Sequence, residues 1–136
     1  MKSNDEKKIK ILIAEDDKIA NMRYDRSISD ITFLKKFVTN GEDVIETYQS
    51  WNPDIILLDI MLPNASGYSL LEKIRKEFND HHTVIIMATS LSHELDIKNC
   101  MELGIQGYFV KPINMKEVGF KIFNIWKKQK CNRDHS

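Results

Sequence analysis

Three short apolar runs limit what this chain can fold into: Ile9-Lys10-Ile11-Leu12-Ile13-Ala14, Asp54-Ile55-Ile56-Leu57-Leu58-Asp59 and Thr83-Val84-Ile85-Ile86-Met87-Ala88. Each is rich in β-branched residues, and none alternates apolar with polar as a strand with one wet face would. Such runs read as strands buried on both faces, the state of strands in a parallel sheet. Two weaker runs, Leu34 to Val38 and Tyr108-Phe109-Val110, complete the set.

Helical periodicities separate the runs. Ala20, Tyr24, Ile28 and Ile31 recur at helical spacing, and Val44, Ile45 and Tyr48 follow Asn40-Gly41-Glu42. Leu70, Leu71, Ile74 and Phe78 form a third stripe, opened by Ser66-Gly67 as a helix start. Leu95, Ile97, Cys100 and Met101 give a fourth, ended by Gly104; Met115, Val118, Ile122, Ile125 and Trp126 give a fifth. Strands alternate strictly with helices, and parallel strands need right-handed crossovers. The predicted fold is a doubly wound α/β sandwich with helices on both faces of the sheet. Its ligand site should lie beyond the carboxyl ends of the central strands.

A chain of 136 residues fits one domain, here 8–128, with polar tails at 1–7 and 129–136. Twenty basic residues balance twenty acidic ones, so no global field draws the chain to nucleic acid or anionic lipid. Two cysteines, Cys100 and Cys131, are too few for a disulfide scaffold and read as free thiols. No apolar run reaches the roughly 18 residues of a membrane span. Residues 1–10 contain no hydrophobic signal core. The expectation is a small soluble cytoplasmic domain.

The strand ends carry the chemistry. Glu15-Asp16-Asp17 follow the first run, and Asp59 closes the third, before Ile60-Met61-Leu62-Pro63. Thr89-Ser90 follow the fourth and Lys111-Pro112 the fifth. Clustered carboxylates repel one another and raise each other's pKa. A hard divalent cation relieves that repulsion, and Mg²⁺ favours one or two carboxylates plus water and phosphate oxygens. Lys111 and Thr89 suit the remaining phosphoryl oxygens as point charge and hydroxyl. A carboxylate nucleophile, a metal, a cation and a hydroxyl are the parts phosphoryl transfer uses. Asp17 is expected to cap the first helix.

These segments together resemble the receiver domain of two-component response regulators, over about residues 8 to 128. The resemblance rests on Ile11 to Asp17, Pro53 to Pro63, Ala88-Thr89-Ser90 and Tyr108 to Pro112, in order and at family spacing. It implies a flavodoxin-like (βα)5 fold with strand order 2-1-3-4-5. It implies that Asp59 accepts a phosphoryl group from a histidine kinase or histidine phosphotransfer protein. Asp16 and Asp59 would ligate Mg²⁺, with Glu15 helping and the Met61 backbone carbonyl as a further ligand; Mn²⁺ could substitute. Thr89 and Tyr108 would form the switch, reshaping the face of the fourth helix, fifth strand and fifth helix for a downstream protein. The Lys111–Pro112 peptide would be cis.

Some positions depart from the common pattern. Glu15 stands where aspartate is more frequent, and Ser66 where an aspartate often precedes the glycine. Met61 and Leu91, two residues past Asp59 and Thr89, are apolar and cannot activate water, so slow self-dephosphorylation is expected. Phe120 and Phe123 lie off the core stripe of the fifth helix and suggest a partner surface. Lys127, Lys128, Lys130 and Arg133 read as a solvated basic tail, and no role falls to His81, His82, His93 or His135.

Other classes fit less well. A nucleotide or flavin enzyme of this topology needs a Gly- or Ser/Thr-rich turn after the first strand, where three acids stand. An aspartyl phosphatase would want a second aspartate where Met61 stands. The expected role is a signalling module that turns over no external metabolite and acts by docking. It is expected to bind no DNA directly, to contact no membrane, and to be a monomer or a weak phosphorylation-dependent dimer. The alternatives are a receiver piece of a larger regulator or hybrid kinase, and a phosphorylation-independent adaptor.

Overall fold

The five apolar runs become the five strands of one sheet. In the computed structural model, which describes residues 7–134, they are β1 (Ile9–Ala14), β2 (Phe33–Val38), β3 (Ile55–Leu58), β4 (Val84–Thr89) and β5 (Gly107–Val110). All pair in parallel, in the order β2-β1-β3-β4-β5. Helices α1 (Lys18–Ser27), α2 (Gly41–Trp51), α3 (Gly67–Glu72), α4 (Glu94–Leu103) and α5 (Val118–Asp134) fill the connections, and a π-helical turn, Lys73–Glu77, continues α3. The expected doubly wound fold and strand order are both observed.

Successive strand residues face opposite sides, so each run feeds two cores. Ile9, Ile11 and Ile13 of β1 join Leu57, Ile86, Tyr24, Ile28, Val118 and Ile122 beneath α1 and α5. Leu12 and Ala14 join Ile56, Leu58, Ile85, Val44, Leu71, Ile74 and Cys100 beneath α2, α3 and α4. Full burial of one such side chain contributes about 1.5–3 kcal/mol, which is why both faces of β1, β3 and β4 are apolar. Three helices start at side-chain caps. Asp17 accepts from the Ile19 amide (2.9 Å), Asn40 from Asp43 (3.0 Å) and Ser66 from Ser69 (3.1 Å).

Three stripe positions fall outside the core. Ile31 is 88% exposed because α1 stops at Ser27 and the backbone is extended at Ile28. Leu95 and Met101 also face solvent, and α4 buries only Cys100 completely. Met115 lies in a turn before α5 rather than in it. The basic residues assigned to a C-terminal tail continue α5 as far as Asp134. Residues 1–6 of the expected N-terminal tail, and residues 135–136 with His135, lie outside the described residues.

A polar network closes the end of the molecule opposite the strand-end acids. Arg75 is buried, and its guanidinium donates to the carbonyls of Gly104 (3.0 Å), Asp80 (2.8 Å) and Thr83 (2.8 Å) and to Gln106 Oε1 (3.2 Å). The Asp80 carboxylate accepts from the Tyr48 hydroxyl (2.6 Å), the Thr83 hydroxyl and the amides of His82 and Thr83. Burial alone would raise the Asp80 pKa, but these hydrogen bonds hold it well below the usual carboxylate range. An unfolded aspartate titrates at about 3.9, so the stabilisation from ionised Asp80 is complete above that pH and is lost as pH falls toward the folded value. Asp80→Asn should therefore lower the urea midpoint at pH 6 and cost progressively less by pH 3. A difference from wild type that stays constant over that range would contradict this.

Candidate functional site

The residue after each of β1, β3 and β5 is still held by a backbone hydrogen bond to the neighbouring strand. The Glu15 amide donates to Val38 O (3.1 Å), Asp59 to Ala14 O (3.2 Å) and Lys111 to Thr89 O (2.9 Å). The sheet therefore delivers Glu15, Asp59, Thr89 and Lys111 to one edge with fixed backbone positions. Lys111 Nζ pairs with Asp59 Oδ2 at 2.7 Å and with Glu15 Oε1. Glu15 is 2% exposed, Asp59 5% and Thr89 0%, while Asp16 stands exposed at the rim. The second carboxylate oxygens are occupied too: Glu15 Oε2 accepts from the Asp17 amide (3.2 Å) and Asp59 Oδ1 from the Met61 amide (3.0 Å). The Lys111–Pro112 peptide is cis, as expected.

One ammonium faces two buried carboxylates. Burial would lower the Lys111 pKa, but its hydrogen bonds to Asp59 and Glu15 hold it above the usual lysine range. Burial pushes Glu15 up, and the neighbouring Asp59 charge adds to this against the pull of Lys111 and the Asp17 amide. The cluster keeps surplus negative charge beside a protonated lysine. One carboxylate oxygen from each of Glu15, Asp16 and Asp59 lies within 4.8 Å of the others. Hard oxygen donors gathered at one opening fit a Mg²⁺ ion, which needs only a few protein oxygens.

Thr89 and Tyr108 meet through one residue. The Leu91 amide points to Thr89 Oγ1 (3.4 Å), and the Tyr108 hydroxyl donates to Leu91 O (2.7 Å). Burial pushes the Tyr108 hydroxyl up to about 12, so it remains a donor at neutral pH. Of the two phenylalanines off the core stripe, Phe120 is 71% exposed, whereas Phe123 is half-buried against the core and Trp126 (ring centroids 6.2 Å apart). The Met61 side chain is exposed.

The family model for the response regulator receiver domain matches residues 11–122. This chain belongs to the receiver domain family. Receivers are signalling domains of two-component response regulators rather than enzymes for an external substrate, and as a class they bind Mg²⁺. The receiver is 34% identical over 117 residues to the sensory transduction protein LytT of Oceanobacillus iheyensis, covering 85% of this chain and 46% of that protein. It spans about half the length of the curated relatives it matches. A signal receiver domain from Vibrio parahaemolyticus superposes with a TM-score of 0.84 at 26% identity, covering 93% of this chain and 95% of that one. A CheY-like receiver domain protein from Methanospirillum hungatei shares the fold at a TM-score of 0.82 and 22% identity, over 92% of this chain and 98% of the other. No helix among the described residues is long and apolar enough to cross a membrane.

One support of the receiver's site carries no sequence signal of its own, and a second, Gly67, is marked only as a helix start. Asn21 Nδ2 donates to the Glu15 carbonyl (2.8 Å), and its Oδ1 is buried without a partner. It sits one turn past the Asp17 cap, where only the fold makes it adjacent to Glu15. Gly67 opens α3 against the loop after Asp59. A Cβ there would come 2.1 Å from the Asp59 carbonyl oxygen, a backbone atom that cannot step aside. Gly67→Ala should therefore destabilise by about 1–3 kcal/mol, the usual range for overpacking, seen as a lower urea midpoint at unchanged slope. Wild-type stability in this variant would contradict the packing described.

Proposed function

We propose that this receiver is a phosphorylation switch in which Asp59 accepts a phosphoryl group from a phosphohistidine. The observation that carries this reading is the placement of a buried carboxylate, 2.7 Å from a lysine ammonium, beside a buried threonine hydroxyl and two further acids. A carboxylate oxygen of Asp59 attacks phosphorus as the P–N bond breaks, and the electron pair leaves with the imidazole nitrogen, which takes a proton from solvent water. Lys111 shifts from the carboxylates to an oxygen of the transferred group, and the Thr89 hydroxyl donates to another. Glu15, Asp16, Asp59 and the Met61 carbonyl would hold Mg²⁺, or Mn²⁺ in its place. The bound ion would offset the charge of the acids and draw electron density from the phosphoryl oxygens.

The switch follows from the Leu91 link. A Thr89 hydroxyl turned toward a phosphoryl oxygen leaves the Leu91 amide, and the Tyr108 ring moves with the loop it holds. That change reaches the surface of α4, β5 and α5, where exposed Phe120 offers an apolar contact to a downstream protein. The phosphodonor is a histidine kinase or a histidine phosphotransfer protein. Apolar Met61 and Leu91 favour a long-lived acyl phosphate, because neither can orient water for hydrolysis.

Intact mass after incubation with acetyl phosphate and Mg²⁺ tests the proposal. Wild type should gain one phosphoryl group and Asp59→Asn none, and Lys111→Ala should react at least tenfold more slowly, about 1.4 kcal/mol in the barrier. Equal gain in Asp59→Asn would place the acceptor elsewhere. No gain in wild type, from acetyl phosphate or from a phosphorylated histidine protein, would favour the adaptor.

A further inference from the structure

The acid cluster draws its carboxylates from the ends of β1 and β3, and the corner between β2 and α2 touches both of those segments through its backbone. On one side the Val38 carbonyl accepts from the Glu15 amide (3.1 Å). On the other the Gly41 amide donates to the Pro63 carbonyl (2.9 Å), in the loop that follows Asp59. Between them Asn40 seats the first turn of α2, accepting from the Asp43 amide (3.0 Å) and donating to the Asp43 carboxylate (3.0 Å). The loop is held at two further points, the Met61 amide on Asp59 Oδ1 (3.0 Å) and the Ile60 carbonyl on the Gly67 amide (2.8 Å). Of these three holds, only the Gly41 bond comes from outside the β3–α3 segment.

Gly41 is buried, and its missing side chain is what lets the corner come this close. It does not take the left-handed backbone, so an alanine could adopt the same conformation. Glycine is also the poorest helix former after proline, so α2 gains nothing from it. The reason for glycine lies across the contact. A Cβ at this position would lie 2.5 Å from the Ala65 Cβ and 3.0 Å from the Ala65 backbone nitrogen. Ala65 has no rotamer that could turn away, so the shift passes to the backbone of residues 60–65.

We infer that the β2–α2 corner is a positioning element of the cation site, with Gly41 as its deciding residue. It sets how far the loop bearing the Met61 carbonyl stands from Glu15 and Asp16. The inference rests on those groups holding Mg²⁺. That ion demands near-ideal octahedral geometry with oxygens at about 2.0–2.1 Å. Carbon atoms meet at about 3.5–4.0 Å, so relieving the 2.5 Å approach moves the loop by about 1 Å, enough to take a ligand out of range.

Calorimetric titration with Mg²⁺, and amide hydrogen exchange without it, test the inference on the whole chain. Gly41→Ala should bind Mg²⁺ at least tenfold more weakly than wild type, and ion-free exchange at residues 60–65 should rise at least fivefold. Adding Ala65→Gly removes the collision and should restore both readings to within threefold of wild type. Gly119→Ala is the control for lost stability alone. Its Cβ would meet the Ser27 carbonyl at 2.9 Å on the other face of the sheet, and both readings should stay within twofold of wild type. If Gly41→Ala does not fold, Asn40→Ala keeps the glycine but frees the first turn of α2, and should move both readings at least threefold in the same directions. Wild-type Mg²⁺ affinity in the variant used, whatever its exchange, would overturn the positioning role. So would a double variant as impaired as Gly41→Ala, or an equal loss in Gly119→Ala. Absence of Mg²⁺ binding by wild type would overturn the cation site instead, and ion-free exchange at 60–65 would still decide whether the corner holds the loop.

Discussion

A single ammonium shared by two buried carboxylates is the interaction on which the rest of the structure turns. Glu15, Asp59 and Lys111 come from the ends of three different strands, and only a parallel sheet with this register sets them side by side. Two buried carboxylates facing each other would be strongly unfavourable without the lysine, because charge repulsion grows as water is excluded. With it, the edge still carries surplus negative charge, and Asp16 at the rim adds to that surplus. The rigid double core supplies the force that holds this arrangement. Burial of both faces of β3 and β4, and of β1 from Ile11 to Ala14, holds the strand ends together.

The two ends of the sheet use polar groups in opposite ways. At the amino end, Arg75 and Asp80 spend their hydrogen-bonding capacity on backbone and side-chain partners, and the result is a closed structural network. At the carboxyl end, charge is left unbalanced, Asn21 Oδ1 is buried without a partner, and the Thr89 hydroxyl has only a long contact. A fully satisfied network resists change, whereas an incompletely satisfied one responds to an arriving cation or anion. The acid cluster proposed as the phosphoryl site sits at the end where satisfaction is incomplete.

Much of this was readable in the residues, for a physical reason. Strands buried on both faces must be apolar throughout, so Ile11 to Ala14, Ile55 to Leu58 and Val84 to Ala88 announced themselves, and the polar residue that breaks each run marked the edge where Glu15, Asp59 and Thr89 gather with Lys111. Helices on the surface carry weaker signals. Ile31 kept the spacing of α1 but lies beyond its end, and α4 turns Leu95 and Met101 outward while Cys100 and, in part, Leu103 pack against the core. Arg75 carries no local signal between Ile74 and Lys76, and its burial depends on carbonyls brought together from Asp80, Thr83 and Gly104. Long-range polar networks of this kind leave no local pattern, because each partner is ordinary in its own segment.

The most direct test of the account is whether the acid cluster, and not acidity in general, binds the cation. Asp16 and Asp59 belong to the cluster, while Asp17, next in sequence, is occupied in capping α1. Calorimetric titration with Mg²⁺ should show one ion per chain, an affinity at least tenfold weaker in Asp16→Ala, about 1.4 kcal/mol, and little change in Asp17→Asn, which keeps the cap. Equal affinities in wild type and Asp16→Ala, or an equal loss in both variants, would contradict the site described.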